Sequence, residues 1–166
     1  SVAQDGFQVD DVGVATLQDN EIYATGKDGL KLDGADRATL RGNRVYDVDN
    51  EGVQIQKGTL VTIEANVIYR TGADSLLAEN EGGTVLIRGN QVYSITGASE
   101  DGIHVSSGVV ATVEGNRVHD VSDDAVDFKG LSGVIQDNHI WAVRGVGIQV
   151  SETTSISVAR NHISAT

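Results

Sequence analysis

The sequence predicts an all-β chain wound as a right-handed, single-stranded parallel β-helix. It has about seven coils of three short strands each, with an internal asparagine ladder. Three observations predict it. Asparagine recurs at Asn20, Asn43, Asn66, Asn90, Asn116, Asn138 and Asn161, at spacings of 23, 23, 24, 26, 22 and 23. An aliphatic side chain stands three residues before each (Leu17, Leu40, Ile63, Ile87, Val113, Ile135, Val158), and a β-branched one two residues after (Ile22, Val45, Ile68, Val92, Val118, Ile140, Ile163). Third, apolar and polar residues alternate on either side of each asparagine. A fixed period in the low twenties means one supersecondary unit copied and stacked.

Each copy opens with a first strand. The phrases are Asp5-Gly6-Phe7-Gln8-Val9, Asp28-Gly29-Leu30-Lys31-Leu32, Glu51-Gly52-Val53-Gln54-Ile55, Asp74-Ser75-Leu76-Leu77-Ala78, Asp101-Gly102-Ile103-His104-Val105, Asp124-Ala125-Val126-Asp127-Phe128 and Val146-Gly147-Ile148-Gln149-Val150. Their period of two is that of a half-buried strand. A second alternating run, such as Val61-Thr62-Ile63-Glu64, leads into the asparagine, and a third, such as Val45-Tyr46-Asp47-Val48, follows it. Turn residues separate the runs: Asp33-Gly34-Ala35-Asp36, Gly42-Asn43 and Asp49-Asn50. No stretch carries a 3.6-residue apolar stripe, and the hexapeptide period of a left-handed helix is absent. Residues 1–166 therefore read as a single domain. One extra residue falls near Asn80 to Gly83, and a longer turn, Thr96 to Glu100, precedes the strand that carries His104. Insertions in solenoids map to loops on one face, often the binding face.

Composition narrows the partners. The net charge is −12, which repels phosphate backbones and anionic membrane, so neither nucleic acid nor membrane is expected as a partner. Aromatic residues are only 4% of the chain, so the core must be aliphatic. There is no cysteine, hence no disulfide framework or thiolate site, and no apolar run of membrane length. Proline and methionine are also absent, and the first residue is Ser1. That pattern fits strands intolerant of proline, or a trimmed, excised or engineered product. Neither end shows a recognisable cap, so self-association through open coil ends, or through the aromatic column described below, is an expectation.

The repeated phrases resemble the parallel β-helix repeats of the pectate-lyase-like superfamily, especially the alginate-epimerase-like and periplasmic copper-maturation-type repeat proteins. The resemblance covers essentially the whole chain and implies an extracellular or periplasmic setting. It implies a carbohydrate-associated or accessory module, acting on or near acidic or neutral polysaccharide; if catalytic, a polyuronate lyase or C5-epimerase. The Asp-Pro-His-Asp motif of the epimerases cannot occur without proline, and the Arg-Pro-Arg pattern of the lyases is absent too. No catalytic residue carries over by motif. The alternative is a structural or interaction scaffold without ligand or activity.

Residues at equal phase form columns along a stack, and columns are where chemistry would gather. The superfamily places its chemistry on the first strand's outward column, which here reads Gln8, Lys31, Gln54, Leu77, His104, Asp127, Gln149. Two residues on, Asp10, Asp33, Gln56, Glu79, Ser106, Lys129 and Ser151 line up. His104, Asp127, Lys129 and Glu79 are thus expected to converge. They offer the base, acid and cation that abstraction of a uronate C5 proton needs. No cofactor is required, but Asp123, Asp124 and Asp127 are candidate calcium ligands. A third column collects Tyr23, Tyr46, Tyr69, Tyr93, His119 and Trp141. It reads as a stacking ladder, a sugar-binding strip, or a surface covered by another chain. Alternating signs at Arg41, Glu64, Arg88 and Glu114 read as register control.

Overall fold

The structure is a computed structural model that describes residues 3–79, 82–106 and 108–164. Among the described residues, eighteen strands form a parallel β-helix. The first coil holds β1 (Phe7–Gln18) and β2 (Glu21–Thr25), the second β3 (Leu30–Arg41) and β4 (Arg44–Val48), the third β5 (Val53–Glu64) and β6 (Val67–Thr71). The fourth holds β7 (Leu76–Ala78), β8 (Thr84–Arg88) and β9 (Gln91–Tyr93), the fifth β10 (Ile103–Val105), β11 (Val110–Glu114) and β12 (Arg117–Val121). The sixth holds β13 (Val126–Phe128), β14 (Ser132–Gln136) and β15 (His139–Val143), the seventh β16 (Ile148–Val150), β17 (Ser155–Ala159) and β18 (His162–Ser164). One seven-stranded sheet, ordered β18-β15-β12-β9-β6-β4-β2, collects the strand after each asparagine. The other strands form an eleven-stranded sheet.

That second sheet departs from the expected three strands per coil. In coils one to three the first and second strands run on as single twelve-residue strands. Asp33-Gly34-Ala35-Asp36, expected as a turn, is a bulged bend inside β3, with register shifts against β5 at Asp33. Gly34 turns the chain there with φ 89°, and a Cβ on it would lie 2.5 Å from the Asp11 carboxylate. Pairing continues past the bend (Val12 with Ala35, Ala35 with Gly58), so the ladder absorbs what the composition marks as a break. Gly42-Asn43 and Asp49-Asn50 do lie outside strands.

The asparagine ladder closes the opposite corner. Nδ2 of each asparagine from Asn20 to Asn138 donates to Oδ1 of the next at 2.8–3.1 Å, and that same Oδ1 also accepts the donor residue's main-chain N–H. From Asn43 onward Nδ2 also donates back to the carbonyl of the aliphatic residue one coil earlier, as from Asn90 to Ile63 at 2.9 Å. Asn43, Asn66, Asn90, Asn116 and Asn138 are buried, and these bonds meet the needs that buried amides and corner main chain would otherwise leave open. The residue before each asparagine is left-handed: Asp19, Gly42, Ala65, Gly89, Gly115, Asp137 and Arg160 all have φ between 53° and 63°. A second left-handed column follows the aromatic one at Ala24, Asp47, Arg70, Ser94, Asp120 and Ala142.

Inward-facing aliphatics of all three strands fill the bore. Leu30, Val53, Leu76, Ile103 and Val126 stack in one column and Val45, Ile68, Val92, Val118 and Ile140 in another, all of them fully buried. Phe128 is the outsized member of its column, between Val105 and Val150, and Gly133 makes room for it. A Cβ on Gly133 would lie 2.9 Å from the Phe128 ring and 2.0 Å from the Ala111 carbonyl.

Candidate functional site

The first strand's outward face carries the chemistry-bearing side chains. Parallel pairing of β7, β10, β13 and β16 puts Leu77, His104, Asp127 and Gln149 on successive rungs. His104 stands at the centre. Its Nδ1 lies 3.0 Å from Oδ2 of Asp74 and 3.8 Å from Oδ2 of Asp101, and its Nε2 lies 3.9 Å from Oδ2 of Asp127. Asp127 is only 3% exposed; its Oδ2 forms an ion pair with the Lys129 ammonium, and Gln149 donates to its other oxygen at 3.5 Å.

Asp74 and Asp101 belong to the acidic residues that open the first six repeats. They occupy the turn before the first strand, and each braces the coil above. Asp74 Oδ1 accepts the Asp101 N–H at 2.7 Å, Asp101 Oδ1 accepts the Asp124 N–H at 3.0 Å, and Asp124 Oδ1 accepts the Val146 N–H at 2.6 Å. Burial and the neighbouring Asp74 push the Asp101 carboxyl up to about 7. The hydrogen bond to Asp74, helped by Asp127 and Asp101, raises the His104 imidazole above its ordinary value. Further down the same column, burial and a hydrogen bond with Asp28 push Glu51 up to about 7.

Three of the four expected catalytic residues thus come together: His104, Asp127 and Lys129. Glu79 does not join them through any direct bond; it accepts from Gln54 at 3.4 Å and lines a neighbouring groove. Leu77, which interrupts the polar face, is 7% exposed and forms an apolar rung beneath His104. The expected calcium set does not converge. Asp127 is turned to Lys129 and Asp124 to the main chain of the next coil, while the metal-capable group among the described residues is Asp74, Asp101 and His104. Those two aspartates were legible as the recurrent acid of the first-strand phrase; their stacking beside His104 was not drawn from it. The longer turn delivers Asp101 to this spot, tied to its neighbours by Thr96 N–H to the Thr71 carbonyl (2.8 Å) and Ser122 Oγ to the Glu100 carbonyl (3.2 Å). The extra residue near Asn80 falls partly outside the described residues.

Beside this face runs an open groove of about 1080 Å³. It follows the bend between first and second strands over coils one to five. Asp11, Asp36, Gln56, Lys57, Glu79 and Ser106 give it polar walls, and glycines such as Gly13, Gly34 and Gly82 expose main chain.

The aromatic column is a continuous stack. Successive rings from Tyr23 to Trp141 have centroids 4.2–5.3 Å apart and planes within 13° of parallel. Guanidinium groups of Arg44 and Arg70 lie 4.6–5.6 Å from the Tyr46 and Tyr69 centroids, and Arg44 donates to the Tyr69 hydroxyl at 2.6 Å. Interior rings therefore spend both faces on one another, and Tyr69, covered by the two arginines, is buried. Among the outward charges, Glu64 is clasped by Arg41 at 3.4 Å and Arg88 at 2.6 Å.

Stacked parallel coils, an unbroken asparagine ladder and a two-sheet closure have a counterpart among known families. The right-handed beta helix region family matches residues 1–99 and again 81–166. The chain belongs to this family. Neither a curated protein nor a solved structure matches it. As a right-handed β-helix, the chain offers a rigid rack on which two faces, the His104 face and the groove, are held in fixed register.

Proposed function

We propose that this β-helix is a non-catalytic binding module for an extended, neutral polysaccharide, held in the groove beside the first-strand face. The groove itself carries the reading: five coils span about 19 Å at the usual strand spacing, a length suited to a chain ligand. Its walls offer carboxylates, an amide and hydroxyls, together with glycine main chain that a ligand can approach closely. The acidic surface favours a neutral glycan over a bare polyuronate. Descent from the pectate-lyase-like superfamily is part of the proposal and rests on the repeat phrases.

Catalysis on the His104 face has less support. Abstraction of a uronate C5 proton needs a cation to neutralise the substrate carboxylate, and the Lys129 ammonium is already neutralised by buried Asp127. The aromatic column supports stiffness rather than sugar stacking, because the ring faces are occupied by neighbouring rings. The test is calorimetric titration with neutral oligosaccharides and with oligo-uronates, the latter with and without calcium. A neutral oligosaccharide should bind, and Gln56→Ala with Glu79→Ala should weaken it about tenfold, as loss of two hydrogen bonds predicts. Silence with every sugar would overturn the reading and leave a scaffold role.

A further inference from the structure

We infer that Asp74, Asp101 and His104 form a site for one divalent transition-metal ion of the zinc class. Asp74, Asp101 and His104 each offer one ligand atom, and these atoms lie within 4.8 Å of one another. Nδ1 of His104 faces Oδ2 of both aspartates. The nitrogen is 3.0 Å from one oxygen and 3.8 Å from the other. Ligands about 2.0–2.2 Å from a zinc ion stand roughly that far apart, so little more than loss of the proton between His104 and Asp74 opens the position.

Each carboxylate is also aimed. Its Oδ1 is held by a main-chain N–H of the next coil, at 2.7 Å for Asp74 and 3.0 Å for Asp101, which leaves Oδ2 directed at the imidazole. The ring's other nitrogen lies 3.9 Å from buried Asp127, beyond hydrogen-bond length, so that carboxylate adds negative charge beside the site without bonding the ring. Leu77 supplies an apolar floor one rung below.

Acids alone do not make this site. The same acidic column passes through Asp5, Asp28, Glu51 and Asp124, but the outward first-strand position beside it holds histidine in one coil only. Its occupants elsewhere are Gln8, Lys31, Gln54, Leu77, Asp127 and Gln149. Two close carboxylates repel, and a divalent charge relieves that repulsion. The nitrogen donor decides the class: calcium takes six to eight oxygens, whereas an imidazole with two carboxylates suits zinc, nickel or cobalt.

Titration of the chelator-treated chain with zinc chloride should show one ion bound per chain. His104→Gln should lower the affinity at least about tenfold, and Asp101→Asn, which keeps an oxygen for the Asp124 N–H, should do likewise with an unchanged far-UV circular dichroism spectrum. Cobalt in place of zinc should give visible ligand-field bands that His104→Gln abolishes and that excess calcium leaves intact. A double variant, His139→Gln with His162→Gln, should bind as the parent does. No zinc uptake by the parent chain overturns the assignment. So does zinc binding that survives His104→Gln and Asp101→Asn and is lost from the double variant. Displacement of cobalt by calcium overturns the zinc class.

Discussion

Asn90 shows what a single residue of the ladder does. Its Oδ1 accepts both nitrogens of Asn66 at 2.9 and 3.0 Å, and its Nδ2 serves the Ile63 carbonyl and the Asn116 amide. Asn90→Ala would strand the two Asn66 donors and the Ile63 carbonyl in a dry interior, where each unmet group costs about 1–3 kcal/mol. The expected loss in urea unfolding is about 3 kcal/mol or more. Asn20→Ala, at the first rung, removes only the bond from Nδ2 to Asn43 and should cost about 1 kcal/mol. Equal losses at the two positions would mean that the ladder is not cooperative with burial. The corner before the ladder offers a gain instead. Ala65 holds φ 54° where the flanking coils have Gly42 and Gly89, and an L-residue pays roughly 1–2 kcal/mol for that conformation. Ala65→Gly should raise the thermal midpoint, with a net gain of up to about 1 kcal/mol once the added freedom of the unfolded chain is counted. A lower midpoint would refute the view that this corner is strained.

At the scale of the element, the aromatic stack separates interior from terminal rungs. Tyr69 is 5% exposed, stacks on Tyr46 at 5.0 Å and Tyr93 at 4.8 Å, and bonds Arg44. Tyr23 is 56% exposed and stacks on one side only. Tyr69→Ala should cost about 2–4 kcal/mol, from two ring pairs at about 0.5–1.5 kcal/mol each plus lost burial, and Tyr23→Ala under about 1.5 kcal/mol. Guanidinium denaturation of the two variants checks it; matching costs would mean that the rings pack independently. The column itself was legible because parallel stacking turns sequence phase into spatial adjacency. The Arg44 and Arg70 cover was not, because phase gives the origin of a side chain and not where a long one comes to rest. For the same reason Glu79 shares a column with Lys129 yet reaches for Gln54. The bend at Gly34 misled in another way: turn composition reports what one segment prefers alone, while rungs above and below keep it paired. Of the His104 site, the histidine and Asp127 came from the outward column. Asp74 and Asp101 sit in the turn before it, where an acid reads first as a turn former.

On the scale of the whole molecule, seven coils superpose like charges, and a net charge of −12 must be carried by a narrow rod. Part of it is offset by cross-rung pairs, as Arg70 with Asp47, Arg88 with Glu64 and Arg160 with Asp137, each of which holds its carboxylate below the ordinary range. Part is suppressed by holding protons. Glu51 lies between Asp28 and Asp74 in the acidic column, and burial with the Asp28 hydrogen bond pushes it up to about 7. A carboxyl whose folded pKa is raised binds its proton more tightly when folded, so its contribution is complete below its unfolded value of 4.5 and is lost as pH rises through about 7. The arginine-paired carboxylates act oppositely: their contribution is present above the unfolded pKa and fades in acid. Stability should therefore peak in mild acid and decline toward neutrality, with Asp101 and His104, both raised, adding to the decline. Thermal melts at about pH 5.5 and about pH 8 should give the higher midpoint at the lower pH, and Glu51→Gln should narrow the gap by removing the proton that is lost. A midpoint independent of pH, or a gap that Glu51→Gln leaves at full width, would show that the acidic column carries its charge without protonation. The Arg70, Arg88 and Arg160 pairs would then have to hold the rod together alone.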